Sequence, residues 1–273
     1  VANKRTARSA QVIATRWVTP DLLRVTFGGA DVGSLEPEFT DSYIKLLFPP
    51  AGAPYAWPFD PEQIREQFDR ALWPVTRTYT IRSLDRAAQT MEVDFVVHGD
   101  TGLAGAWAKN ARAGDSIGFL GPGGAWSPDP AADLHVLVGD EAAMPAIGAA
   151  LDALGDRPAK VFVEVSGPDA EGGLPAGADI TWVHRDGLPG HALVEAVRAA
   201  GVPDGDVRWF VHGVAEMIKD LRRFLFVDHG VAKDHVHISG YWRIGMTEND
   251  WQASKRDFVA EMEATEAVAQ QGR

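Results

Sequence analysis

Apolar and polar positions alternate with a period of two through much of the first half of the chain. Residues 8–18, RSAQVIATRWV, and 22–28, LLRVTFG, carry β-branched residues in this alternation. They predict two strands joined by a turn at Thr19-Pro20-Asp21. Tyr43–Phe48, Arg77–Ser83, Met91–His98 and Ser116–Gly121 predict four more strands. Between them, residues 49–75 are rich in proline and aromatic residues, with a short polar helix expected at Pro61–Ala71. A second short helix is expected at Leu103–Asn110, opened by glycines. Many short strands with few helices imply an antiparallel β-barrel.

After Pro128-Asp129-Pro130 the pattern changes, which divides the chain into expected units 1–128 and 129–273. Short continuous apolar runs (His135–Val138, Lys160–Val165, Ile180–His184, Val207–Val211, His235–Ser239) predict strands. They are interleaved with predicted helices at Ala143–Leu154, His191–Ala200 and Ala215–Phe226. Apolar strands alternating with helices imply a parallel sheet covered on both faces. The expected fold is thus an all-β barrel followed by an α/β domain. A polar, Ala/Glu-rich helix is expected over Asn249–Gln270.

Composition narrows the chemistry. The 273 residues suffice for two cores and include no cysteine, which excludes disulfides, thiolate metal sites, iron–sulfur clusters and thiol nucleophiles. The formal net charge of −12 argues against nucleic acid as a partner and against long-range attraction of an anionic substrate. The eight histidines form no metal pattern; His235 and His237 are expected to share one face of a strand as structural residues. No apolar run reaches the roughly 18 residues of a membrane span. The segment Val1-Ala2-Asn3-Lys4-Arg5-Thr6 has charge without an apolar stretch behind it, so a cytoplasmic location is expected.

The strongest chemical signal is Arg77-Thr78-Tyr79-Thr80. On a strand, Arg77 and Tyr79 point to one face and Thr78 and Thr80 to the other. Binding a flavin needs a cation for phosphate, a flat ring to pack on the cofactor and a small hydroxyl near the reactive nitrogen. Arginine suits phosphate because it is planar, always charged and bidentate. Alone, such a tetrapeptide is common in amphipathic strands. Here Asp94-Phe95-Val96-Val97-His98-Gly99 follows one hairpin later. Then come Gly102, Ala104, Gly105 and Trp107, a run of small residues opening a helix. Uncovered backbone N–H groups at such an opening form an anion site.

These features, in this order, resemble the ferredoxin-reductase-like flavoproteins. More specifically the chain resembles the siderophore-interacting protein family of FAD-dependent ferric-siderophore reductases. The resemblance rests on Tyr43–Pro49, Arg77–Thr80, Asp94–Gly99, Trp107-Ala108, Gly114-Asp115, Gly121-Pro122, Gly139-Asp140-Glu141 with Pro145-Ala146, and Gly240–Gly245. It implies that Arg77, Thr78, Tyr79 and Thr80 bind FAD. It further implies that Asp94, Val96 and His98 line the flavin or its ribitol, and that the Gly102–Trp107 turn, with Ala104 and Gly105, holds the pyrophosphate. The family usually has serine at Gly105; its absence removes a hydroxyl and leaves the amide. Lys45 and Arg243 are implied to hold the siderophore. No counterpart of a third basic residue is evident in Gly121-Pro122-Gly123-Gly124.

Gly139-Asp140-Glu141 sits where related reductases carry a nicotinamide loop, and Asp140 is expected to accept ribose hydroxyls. No G-x-G-x-x-G follows any strand, and the family's usual threonine is replaced by Ala142. The implied activity is reduction of a ferric siderophore through FAD by NADH, NADPH or ferredoxin, with release of Fe(II) and no catalytic acid–base pair. The alternatives are a general NAD(P)H–flavin oxidoreductase with another acceptor, or a flavin-bearing siderophore-binding protein that needs an external reductase.

Overall fold

The computed structural model describes residues 6–97 and 102–271. The chain divides into two compact units between Ser127 and Pro128. In the first, β1 (Arg8–Thr19), β2 (Leu22–Gly28), β3 (Tyr43–Phe48), β4 (Val75–Thr80), β5 (Ser83–Asp85), β6 (Thr90–Val96) and β7 (Ser116–Gly123) form one antiparallel sheet. Its strand order is β4-β3-β7-β1-β2-β6-β5. The sheet curls until β4 meets β6, where the Tyr79 and Phe95 ring centroids lie 4.3 Å apart. This is the expected barrel.

Alternation places the core. On β3, Ile44, Leu46 and Phe48 are buried inside with Val25, Phe27, Val93, Phe95 and Phe119. Short helices α1 (Ala30–Gly33), α2 (Pro61–Gln67) and α3 (Ala104–Asn110) decorate this sheet. The helix expected over Pro61–Ala71 stops at Gln67, and a separate 3₁₀ turn covers Arg70–Leu72. Its start is well encoded: Asp60 Oδ1 accepts from the Glu62 amide at 2.8 Å and Pro61 occupies the first turn. It ends because Phe68 adopts an extended backbone, with its ring 5.7 Å from that of Tyr55.

The second unit holds β8 (Leu134–Asp140), α4 (Met144–Leu154), β9 (Ala159–Val165), β10 (Asp179–His184), α5 (His191–Ala200), β11 (Val207–Val214), α6 (Ala215–Arg222), β12 (Val236–Trp242) and α7 (Glu248–Gln271). All five strands are parallel, in the order β10-β9-β8-β11-β12. The order reverses between β8 and β11, which opens a crevice at their carboxyl ends. No described helix is long and apolar enough to cross a membrane.

Two expectations are corrected here. α6 does not run to Phe226; from Arg223 to Asp228 the chain winds as a π-helix, and Phe224, Leu225, Phe226 and Val227 are all buried there. His235 and His237 do not share a strand face. His235 ends a 3₁₀ turn and lies 3.8 Å from Asp206, while His237 belongs to β12.

α7 is held at two points. Trp251 packs where a Cβ on Gly240 would stand, and Lys255 Nζ donates to Ser239 Oγ at 2.9 Å. Farther along, Arg222 makes two bonds to the Glu266 carboxylate, at 2.6 and 2.9 Å.

Candidate cofactor and substrate sites

β4 lies at one margin of the first sheet, so its partners come from β3 alone: Ile44 faces Tyr79, Lys45 faces Thr78 and Leu46 faces Arg77. Arg77 and Tyr79 therefore share the inner face with the core residues of β3, and Thr78 and Thr80 share the outer face with Lys45 and Tyr43. Arg77 Nη1 donates to the Thr76 carbonyl at 2.8 Å, which turns the side chain along the strand. Thr80 is buried and Thr78 is exposed.

The helix-opening segment lies beside β6. Gly102 has φ +99° and open space where a Cβ would stand. Gly105 packs against the Val96 carbonyl, which a Cβ would approach to 3.1 Å. A serine here would press on the β6 backbone, so glycine permits the close approach of α3. Trp107 stacks on Phe27 at 6.2 Å and meets Phe48 and Phe95 edge-on or tilted. Its ring is thus part of the barrel core. His98 lies outside the described residues.

Asp94 is buried and bound by Arg24 from β2, with Nε and Nη2 donating at 2.5 and 2.7 Å. Arg24 Nη1 also reaches Glu92 at 3.2 Å. The Asp94 carboxylate is thus engaged by a buried arginine that the sequence reading did not single out. The signal was opposite charges on two strands, Arg24 on β2 and Asp94 on β6, cross-strand partners in the observed register.

Arg77, Tyr79, the β6 end and the Gly102–Gly105 opening suit FAD in chemistry: one cation, one flat ring and a backbone free of bulky side chains. Lys45 is half-buried between Leu120 and Thr78, and its side chain makes no hydrogen bond or ion pair with another described residue. In the second unit, Arg243 lies 4.9 Å over the Phe258 ring and 3.5 Å from Glu216.

At the β8–β11 crevice the structure departs from the ribose contact expected of Asp140. Its carboxylate accepts from the Ala142 amide at 3.0 Å, the Val214 amide at 2.9 Å and Trp242 Nε1 at 2.7 Å. The side chain is 1% exposed, so it knits β8, β11 and β12 together and presents no open oxygen. Glu141 pairs with Arg185 at 2.5 Å, and Arg185 bridges to the fully buried Glu164 at 2.9 Å. Glu164 also accepts from the Gly190 amide. Partners this distant in sequence gave no local signal.

Burial, reinforced by Glu141, raises the Asp140 pKa to about 7. Burial holds His212 well below the usual histidine value, helped by His237 and Lys255; its Nε2 lies 2.8 Å from His237 Nδ1. Burial also lowers His135, whose Nε2 accepts from the Asp129 amide. Both histidines are neutral when folded and take protons when unfolded. Their stability contribution is therefore complete above about pH 6.5 and falls as pH drops. Asp140 has the opposite sign: its contribution is complete below about pH 4 and is lost as pH rises through 7. Over a fall from pH 7.5 to 5 the two histidines therefore oppose Asp140, and theirs is the dependence that destabilises on acidification. His212→Gln should flatten that dependence in urea titrations at the two pH values. An equally steep loss in the variant would clear His212 of any part in it.

Residues 11–126 match the siderophore-interacting FAD-binding domain, and residues 132–245 match the siderophore-interacting protein domain. An uncharacterised protein of Mycobacterium tuberculosis is 42% identical over 278 residues, covering 95% of this chain and 98% of its own. A ferric vibriobactin reductase of Vibrio cholerae is 32% identical over 271 residues, covering 93% and 96%. The crystal structure of a siderophore-interacting protein from Aeromonas hydrophila superposes with a TM-score of 0.80 at 25% identity, covering 94% of this chain and 99% of that one.

Proposed function

Since the chain belongs to the siderophore-interacting protein family, we propose that it is an FAD-dependent reductase of ferric siderophores acting in the cytoplasm. The observation that carries this reading is the placing of Arg77 and Tyr79 on one face of a marginal strand, with the glycine-opened helix nearby. Bound FAD would supply the passage of electrons to Fe(III), which the protein side chains cannot do. In this reading Arg77 neutralises phosphate, Tyr79 packs against the cofactor, and Thr80 offers a hydroxyl. Thr78, Val96, Gly102, Ala104 and Gly105 line the cofactor, and Trp107 supports it from the core. Asp94 acts through Arg24, by fixing the β2–β6 pair beneath it. Lys45 and Arg243 draw an anionic chelate against the background of net charge −12.

The electron donor follows from the same reading as NADH or NADPH. The enclosure of Asp140 supports a second donor: a carrier protein such as ferredoxin needs no ribose contact there. Assays of one ferric siderophore with NADH, NADPH and reduced ferredoxin, with a trap for Fe(II), separate the three. Lack of turnover with every donor would reject the reductase.

Arg77→Ala tests the cofactor assignment. A charge-assisted bond to phosphate contributes about 1.5–3 kcal/mol, so FAD affinity is expected to fall by about one to two decades. Equilibrium dialysis of the reconstituted protein reads this directly. Unchanged affinity in a folded variant would remove Arg77 from the phosphate site.

A further inference from the structure

Asp140 is the last residue of β8 and Trp242 the last of β12, two strands kept apart by β11. The Asp140 carboxylate nevertheless joins them. Its Oδ2 takes the Val214 amide at 2.9 Å and the Trp242 indole N–H at 2.7 Å, while Oδ1 takes the Ala142 amide at 3.0 Å. Gly213 clears the path across β11, since a Cβ there would stand 2.7 Å from Oδ2. Its φ of +143° also suits glycine. Hydrogen bonds to a charged acceptor are stronger than neutral ones, so the end of β12 is tied firmly to the end of β8.

Arg243 is the first residue beyond β12. The chain turns there at once: the Met246 amide donates to the Arg243 carbonyl at 3.2 Å, Gly245 takes φ +73°, and α7 begins at Glu248. The guanidinium is restrained by the Phe258 ring of α7 at 4.9 Å and by Glu216 of α6 at 3.5 Å. Its side chain remains 34% exposed. Phe258 and Glu216 limit the swing of the side chain. Where its backbone stands is set by Trp242, and Trp242 is held by Asp140.

We infer that Asp140 is a positioning residue for substrate: through the Trp242 indole it fixes the end of β12 and so sets where Arg243 meets an anionic chelate. This rests on the proposed reductase function, in which Arg243 touches the chelate and Asp140 does not. Arginine offers a rigid fork of donors, so its direction as well as its charge decides what it binds. In an open, wet cleft the whole contribution of Arg243 is a factor of about five or less, which caps what its misplacement can cost.

The test is a double-variant cycle on the FAD-loaded protein, using an anionic ferric tris-catecholate and its gallium(III) counterpart, which is not reduced. Trp242→Phe keeps a ring and drops the N–H. It is expected to raise KM by about two- to fivefold with kcat retained, and to weaken binding of the gallium complex by the same factor. In an Arg243→Ala background the same substitution should change neither quantity. Asp140→Asn supplies the conservative rescue. An amide side chain can place its carbonyl oxygen where Oδ2 stands and accept from both Val214 and Trp242, while its NH2 group meets the Ala142 N–H. It should lower the urea midpoint yet shift KM by less than Trp242→Phe does. An effect of Trp242→Phe that persists in full without Arg243 would overturn the inference, because the indole would then act by packing or by touching the chelate itself. An unchanged KM in Trp242→Phe would overturn it too. A wild type that binds the gallium complex but reduces no ferric chelate would reject the reductase, and the cycle read by binding would still judge Asp140. A wild type that binds neither form overturns both. Should Trp242→Phe fail to fold, Asp140→Ala in the two backgrounds decides instead.

Discussion

Replacing Glu266 by alanine is expected to destabilise the second unit by about 3–5 kcal/mol, the usual cost of stranding one member of a buried ion pair. The carboxylate takes two bonds from Arg222, at 2.6 and 2.9 Å, and Lys233 approaches it at 3.3 Å. The Arg222 and Glu266 side chains are only 9% and 5% exposed. Without Glu266, the guanidinium stays pressed against the Phe226 ring with little water to solvate it. Glu263 lies 3.9 Å away and is well exposed, so it offsets part of the loss. Replacing both partners with apolar residues, Arg222→Met with Glu266→Leu, should recover most of the stability. Urea unfolding measures all three proteins, and hydrogen exchange localises the effect to α7 and the π-helical segment. A double variant as weak as Glu266→Ala would show that the pair acts through shape and not charge.

In the first unit, Arg24→Met is expected to cost more than Asp94→Asn. Losing Arg24 strands Asp94, a buried carboxylate with both described ion-pair bonds gone, at about 3–5 kcal/mol. Losing the charge of Asp94 leaves Arg24 with Glu92 still 3.2 Å away, so the cation keeps a partner. The ranking also separates support from contact. If Asp94 acts through Arg24, the apo-protein loses stability in both variants, and FAD affinity falls only as far as folding does. Retained stability with lost FAD in Asp94→Asn would instead place that carboxylate against the cofactor. Thermal melts with and without added FAD distinguish the two outcomes.

How much the sequence disclosed depended on how local each determinant is. The alternation in Tyr43–Phe48 located an inner and an outer face, and the structure puts Ile44, Leu46 and Phe48 inside. Apolar runs located the parallel strands, though β11 extends three residues beyond the expected Val211. What escaped was set by distant partners. Gly139-Asp140-Glu141 read locally as a nicotinamide loop with Asp140 open to ribose hydroxyls. Their burial follows from Trp242, Val214 and Arg185, 44 to 102 residues away. The π-helical turn followed from the need to bury four successive apolar side chains, which no single helical stripe accommodates.

The seating of α7 has a consequence for the chain as a solute. β12 ends the parallel sheet, and its free row of amides and carbonyls would invite a strand from a second molecule. Successive residues of a strand face opposite ways, so Trp251 against Gly240 and Lys255 on Ser239 grip the strand from both faces. The helix thereby straddles the outer margin of β12 and bars lateral pairing there. A sheet that would otherwise be open to aggregation at that side is closed by its own C-terminal segment.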